Sequence, residues 1–101
     1  MTADRDLARD ALKAVLSTPD GKRVVFGLLE LTGIYRDAFS GDAAATNYVL
    51  GQQAVGRSLI AMMDEIDPRT YPKLLFDIAD MKAMERSAAR LKQPDSEDDD
   101  D

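Results

Sequence analysis

Apolar residues along this chain recur three and four positions apart in four blocks, and proline, glycine and small polar residues break the pattern between them. That period is the helical one. Leu7, Ala11, Leu12, Val15 and Leu16 share one side of a wheel from Thr2 to about Ser17, with Arg5, Asp6, Arg9, Asp10 and Lys13 elsewhere. This predicts an amphipathic first helix capped by Thr2 or Asp4. Thr18 before Pro19 reads as a cap and a first helical position; Val24, Val25, Leu28, Leu29 and Leu31 then give a second helix its apolar face, and Gly33 ends it. The longest block, residues 40–63, predicts a central helix opened by Ser40 or Asp42 and buried along Tyr48, Gln52, Val55, Leu59 and Met62/Met63. Asp67, Pro68 and Pro72 bracket the start of the last helix, whose apolar positions are Leu74, Leu75, Ile78 and Met81, with Met84 beyond, and which stops before Pro94.

No sustained apolar–polar alternation and no hairpin turn between β-branched runs is found, so the fold class is all-α: a small bundle of about four helices. Gly27, Gly51 and Gly56 fall inside helices, where glycine costs about 1 kcal/mol relative to alanine. Close approach of the second and third helices is the expected compensation.

Charge divides the chain rather than characterising it. Its net charge is -6, from 19 acidic and 13 basic residues. Asp95, Glu97, Asp98, Asp99, Asp100 and Asp101 supply six of the acids, and removing them leaves 13 against 13 Lys and Arg. Residues 1–93 therefore read as one nearly neutral helical domain, and 94–101 as a disordered acidic tail that repels itself and has no apolar surface to bury. The tail can add solubility, fold over the Lys82/Arg86/Arg90 row of the last helix, or dock on a basic partner.

Chemistry is constrained mainly by what the residue types exclude. The chain has neither cysteine nor histidine, which removes thiolate sites, disulfides and the commonest general base and metal ligand. The carboxylates at Asp64, Glu65 and Asp67, and at Asp77 and Asp80, lack the pattern of a calcium loop, and the run Gly51–Gly56 lacks the strand and lysine of a phosphate loop. The expectation is a non-enzymatic protein with no metal and no cofactor. A nearly neutral fold with few aromatics disfavours direct nucleic-acid binding. A charged beginning and no apolar run near 20 residues predict a soluble intracellular protein that is not secreted and enters no membrane.

The connection Ile34–Asp42 stands out because it holds Tyr35, Arg36 and Phe39. Two readings are open: the aromatics plug the end of the core, or all three residues form part of a protein-binding surface, since Tyr, Phe and Arg are enriched at interface centres.

Gly33, Tyr35, Arg36, Phe39 and Gly41, followed by Gly51, Val55 and Gly56 in the central helix and by Asp67, Pro68 and Tyr71, carry a resemblance to the Bbp-nineteen-like phage domain family, small proteins of tailed bacteriophages. The resemblance covers roughly residues 15–80. Pro72 departs from its pattern. The resemblance implies a phage or prophage origin and a gene among head-morphogenesis and packaging genes. It thus implies a virion structural or head-morphogenesis interaction module, located in the bacterial host cytoplasm or the virion and docking to a capsid, portal or terminase component. Candidate contact residues are Tyr35, Arg36, Phe39 and the tail acids Asp98, Asp99, Asp100 and Asp101; self-association is left open. The alternative function is a small acidic regulator or inhibitor of a nucleic-acid enzyme, acting through the tail.

Overall fold

A computed structural model describes residues 2–39 and 41–92, with side chains from Asp4 onward. Four helices follow one another, α1 (Thr2–Val15), α2 (Pro19–Leu31), α3 (Ala43–Ile66) and α4 (Thr70–Lys92), and no strand occurs among the described residues. The expected caps at Thr2 and Ser40, and the acidic tail 94–101, lie outside the described side chains.

Each corner is built by short-range chemistry legible in the residues. The Thr18 hydroxyl accepts from the Gly21 amide at 2.9 Å, and Pro19 fills the first position of α2, where no amide hydrogen is needed. Gly33 ends α2 with φ 70°, donating its amide to the Glu30 carbonyl at 3.0 Å. Asp42 caps α3 by accepting from the Ala44 amide at 3.0 Å. At the last corner the Asp67 carboxylate accepts from the Arg69 amide at 2.7 Å, so that α4 begins at Thr70 and Pro72 falls in its first turn, where its missing donor does no harm.

The core is small. Val25 and Leu29 of α2, Met63 of α3, and Leu74 and Ile78 of α4 are its fully buried apolar side chains, with Leu12, Leu16, Phe26, Ile34, Leu59, Ile60, Tyr71 and Met81 packed around them. Ion pairs fasten the helices outside it: Arg5 with Glu65 joins α1 to α3, while Lys22 with Asp77 and Arg23 with Glu85 join α2 to α4 at 2.8 and 2.7 Å. From Lys82 to Lys92 every residue of α4 is exposed; Lys82 and Glu85 still reach Phe26 and Arg23 of α2, and residues 86–92 project beyond the core.

The inward face of α3 differs from the expected one. Gln53, Gly56 and Met63 are the buried positions; of the expected stripe, Met63 is buried and Leu59 packs on the core, whereas Tyr48 and Val55 are exposed, so the inward face is shifted toward Gln53 and Gly56. Two local requirements set this shift. Gln53 has hydrogen-bond partners only on the side facing the α2–α3 connection, and Gly56 alone leaves room there for Thr32 and Ile34. Likewise α2 buries Val25 and Leu29 but exposes Val24, Leu28 and Leu31. Gly27 and Gly51, expected to allow helix contact, would meet nothing within 4 Å if they carried a Cβ; Gly56 is the helical glycine at which a Cβ would run into a neighbouring element. Gly21 is a second such position, overlooked in the sequence: a Cβ there would collide with the Val15 carbonyl.

Candidate functional site

The α2–α3 connection is held from below. The buried Gln53 side chain donates to the carbonyl oxygens of Gly33 at 2.8 Å and Arg36 at 2.6 Å. The Arg36 amide also donates to the Gly33 carbonyl at 3.0 Å, closing a turn over Gln53. Farther on, the Phe39 amide donates to the Asp37 carboxylate at 3.1 Å, and Gly41, at φ 83°, turns the chain toward the Asp42 cap. The connection is long, yet its backbone is tied at both ends and in the middle.

On that support the three candidate residues part company. Tyr35 is 50 % exposed: its ring stacks on Phe26 with centroids 5.9 Å apart, and its hydroxyl lies 2.6 Å from that of Tyr71. Partial burial chiefly, then the hydrogen bond with Tyr71 and the negative charge of Glu30, hold its pKa above the ordinary phenol value. Tyr35 is therefore protonated at physiological pH and serves as an anchor. Phe39 is 76 % exposed, so its ring is presented to solvent. Arg36 is exposed too, and its guanidinium lies back over Gly33, where a Cβ would stand 3.3 Å from Nη2. Tyr35 is thus held at the edge of the core by Phe26 and Tyr71 without being buried in it, whereas Phe39 and Arg36 are exposed. The tail acids Asp98, Asp99, Asp100 and Asp101 lie outside the described residues.

Phe26 carries the arrangement into the bundle. Its ring has Tyr35 on one side and the Lys82 ammonium 4.8 Å from its centroid, a cation–π contact that fixes the first member of the basic row on α4. Arg86 and Arg90, farther along the exposed part of α4, remain at the surface.

Two concave features were not anticipated. At one end of the bundle a cleft of about 500 Å³ has an apolar floor of Leu16, Ile66 and Leu74 and a rim that includes Lys13, Lys22 and Lys73. Asp77 lies in that rim, 2.8 Å from both Lys22 and Lys73, and those hydrogen bonds, Lys22 first, hold its carboxyl below the ordinary carboxylate range. The Arg69 side chain, followed by its backbone amide, does the same for Asp67. Elsewhere, between α2 and α3, a groove of about 470 Å³ is lined by Leu28, Leu31, Val55, Leu59 and Met62. Its α3 half belongs to the stripe expected to be core, of which Leu59 does pack on the core while Val55 is left exposed.

Chemically, the α2–α3 connection presents an exposed phenyl ring and an exposed guanidinium. Among the described residues, no group of three or more side chains of metal-ligating type stands together, and no helix is long and apolar enough to cross a membrane. Comparison with known proteins gives one finding: the family model described as Bbp19-like phage protein matches residues 12–76, which span the end of α1, all of α2 and α3, and the beginning of α4. No curated protein and no solved structure matches the chain.

Proposed function

The chain belongs to the Bbp19-like phage proteins, and we propose that within a phage it works as a non-enzymatic interaction module, a virion component or a head-morphogenesis factor. The observation that carries this reading is Phe39: an aromatic ring 76 % exposed on a connection whose backbone is clamped by a buried glutamine. An exposed aromatic on a mobile loop loses much of its binding energy to ordering, whereas a backbone already tied down loses less. Arg36, three residues earlier on the same connection, supplies an exposed planar cation, and aromatic and arginine residues are enriched at interface centres. The partner is a protein surface of the capsid, portal or terminase kind, met in the bacterial host cytoplasm during assembly or retained in the virion.

Mass spectrometry of purified phage particles, with empty heads and infected-cell lysate alongside, tests the reading. Stoichiometric presence in heads or particles is expected for a structural component, and presence in empty heads alone for an assembly factor. Absence from every particle, with abundance in the lysate, would overturn both roles and favour regulation of an enzyme.

A further inference from the structure

We propose that the cleft formed where the α1–α2 and α3–α4 corners meet binds an acidic segment of a partner protein, a large apolar side chain flanked by carboxylates. Its volume of about 500 Å³ is in the range of ligand sites. It lies at the other end of α2 from the Phe39 connection: Lys22 and Leu31 stand about 14 Å apart along the helix. The cleft is a second contact site and does not depend on the phage role proposed above.

Charge selects the occupant. Lys13, Lys22, Arg69 and Lys73 line the cleft, and its acids are Asp67 and Asp77. Asp67 is taken up by Arg69, whose guanidinium donates to it at 3.0 Å. Asp77 is shared: it lies 2.8 Å from the ammoniums of both Lys22 and Lys73, so one carboxylate answers two cations. Among the described residues Lys13 pairs with no carboxylate. The lining thus holds four cations against two acids, in a chain whose net charge is -6. A partner's acids respond to the local excess, because at physiological ionic strength exposed charges farther than about 8 Å are largely screened.

Burial sharpens the imbalance. The Lys22 side chain is 19 % exposed and that of Asp77 23 %. A cation withdrawn from water needs well-placed anionic acceptors, and the acceptor beside Lys22 already serves Lys73. A carboxylate brought by a partner supplies what is missing.

The floor decides what accompanies that carboxylate. Leu16, Ile66 and Leu74 form it, and burying apolar surface is favourable only under another apolar group. A nucleic-acid phosphate would set polar oxygens on that floor, whereas a leucine or phenylalanine side chain would cover it. The cations come from α1, α2, the α3–α4 corner and α4. A small molecule with one carboxylate meets part of such a rim; a peptide with acids on both sides of its apolar residue meets more of it.

An NMR titration of the isotope-labelled full chain with the peptide Glu-Asp-Phe-Leu-Asp-Glu is the test. Saturable shifts are expected at amides of residues 13–16, 22 and 66–74, with a dissociation constant of about 10–300 μM. Raising NaCl from about 50 to about 500 mM should weaken binding several-fold. Lys13→Glu and Lys73→Gln should each weaken it about three- to tenfold, whereas Arg90→Glu, on the projecting part of α4, should leave it unchanged. Circular dichroism identifies a variant that fails to fold, and the other cleft variant then decides. The peptide Glu-Asp-Ser-Ser-Asp-Glu, which keeps the acids and lacks the apolar pair, should bind at least about fivefold more weakly. No binding, shifts confined to other residues, equal binding of the serine peptide, or indifference to the folded cleft variants would overturn the proposal. So would tighter binding of octanoate or of a single-stranded DNA oligonucleotide than of the first peptide.

Discussion

The side-chain amide of Gln53 donates to the carbonyl oxygen of Arg36 at 2.6 Å, so that a buried residue of α3 holds the backbone of the exposed connection seventeen residues upstream. It makes the same gift to Gly33, whose carbonyl also accepts the Arg36 amide. Gln53→Leu keeps the volume but leaves the Arg36 carbonyl without that donor; an unmet group of this kind costs about 1–3 kcal/mol. Urea denaturation should show the loss as a lower midpoint with unchanged slope, and amides of residues 33–39 should exchange faster than in the parent.

Gly56 and Gly27 should respond to alanine in opposite directions. A methyl group at Gly56 would strike Thr32 Oγ1 and stand 3.1 Å from Ile34 Cβ, so overpacking of about 1–3 kcal/mol is expected. At Gly27 the space is open, and the better helix former should stabilise by about 0.5–1 kcal/mol. Thermal unfolding of the two variants beside the parent checks both signs.

Phe39→Ser should leave stability within about 0.5 kcal/mol, as for surface changes generally, while abolishing capture of the partner from infected-cell lysate. Tyr35→Ser should behave differently, because it removes the ring stacked on Phe26 and the hydroxyl paired with Tyr71. A clear fall in its unfolding midpoint is expected. If Phe39→Ser captures partner as well as the parent does, the α2–α3 connection is not the contact surface.

Acid should weaken the fold through Asp77 and Asp67. Lys22 and Lys73 hold the first below its ordinary pKa, and Arg69 holds the second. The folded state therefore binds fewer protons than the unfolded one as pH falls through the carboxylate range, and stability decreases with it. The contribution is fully present above the unfolded value of about 4 and is lost as pH drops through the lower folded values. Urea midpoints measured from pH 7 to 2 should show this limb, and Asp77→Asn should make it shallower.

Much of the architecture could be read from residues whose effect is local. Thr18 with Pro19, Gly33, Asp42 and Asp67 do their work within three or four positions, and the structure finds the helix ends beside them. The exact inward face of α3 was not legible in the same way, because its apolar pattern favours Tyr48 and Val55, which the fold leaves exposed, as well as Leu59, which it packs on the core. What sets that face is a polar residue, Gln53, whose partners are backbone carbonyls on a connection that must first fold over it, and a glycine whose use depends on where Thr32 comes to rest. Apolar periodicity contains neither fact. Within the candidate site the residue types singled out Tyr35, Arg36 and Phe39, but only the position of Phe26 and Tyr71 separates the anchored ring from the displayed one.

The projecting end of α4 gives the molecule two clocks. Up to Glu85, which pairs with Arg23, the helix is tied to α2 and the core, whereas from Arg86 onward its hydrogen bonds depend almost wholly on local propensity. A segment of seven residues, 86–92, is too short to be firmly helical alone, and helix–coil exchange takes about a microsecond or less. That end can unwind and re-form many times during one encounter with a partner, while the surface around Phe39 keeps its shape.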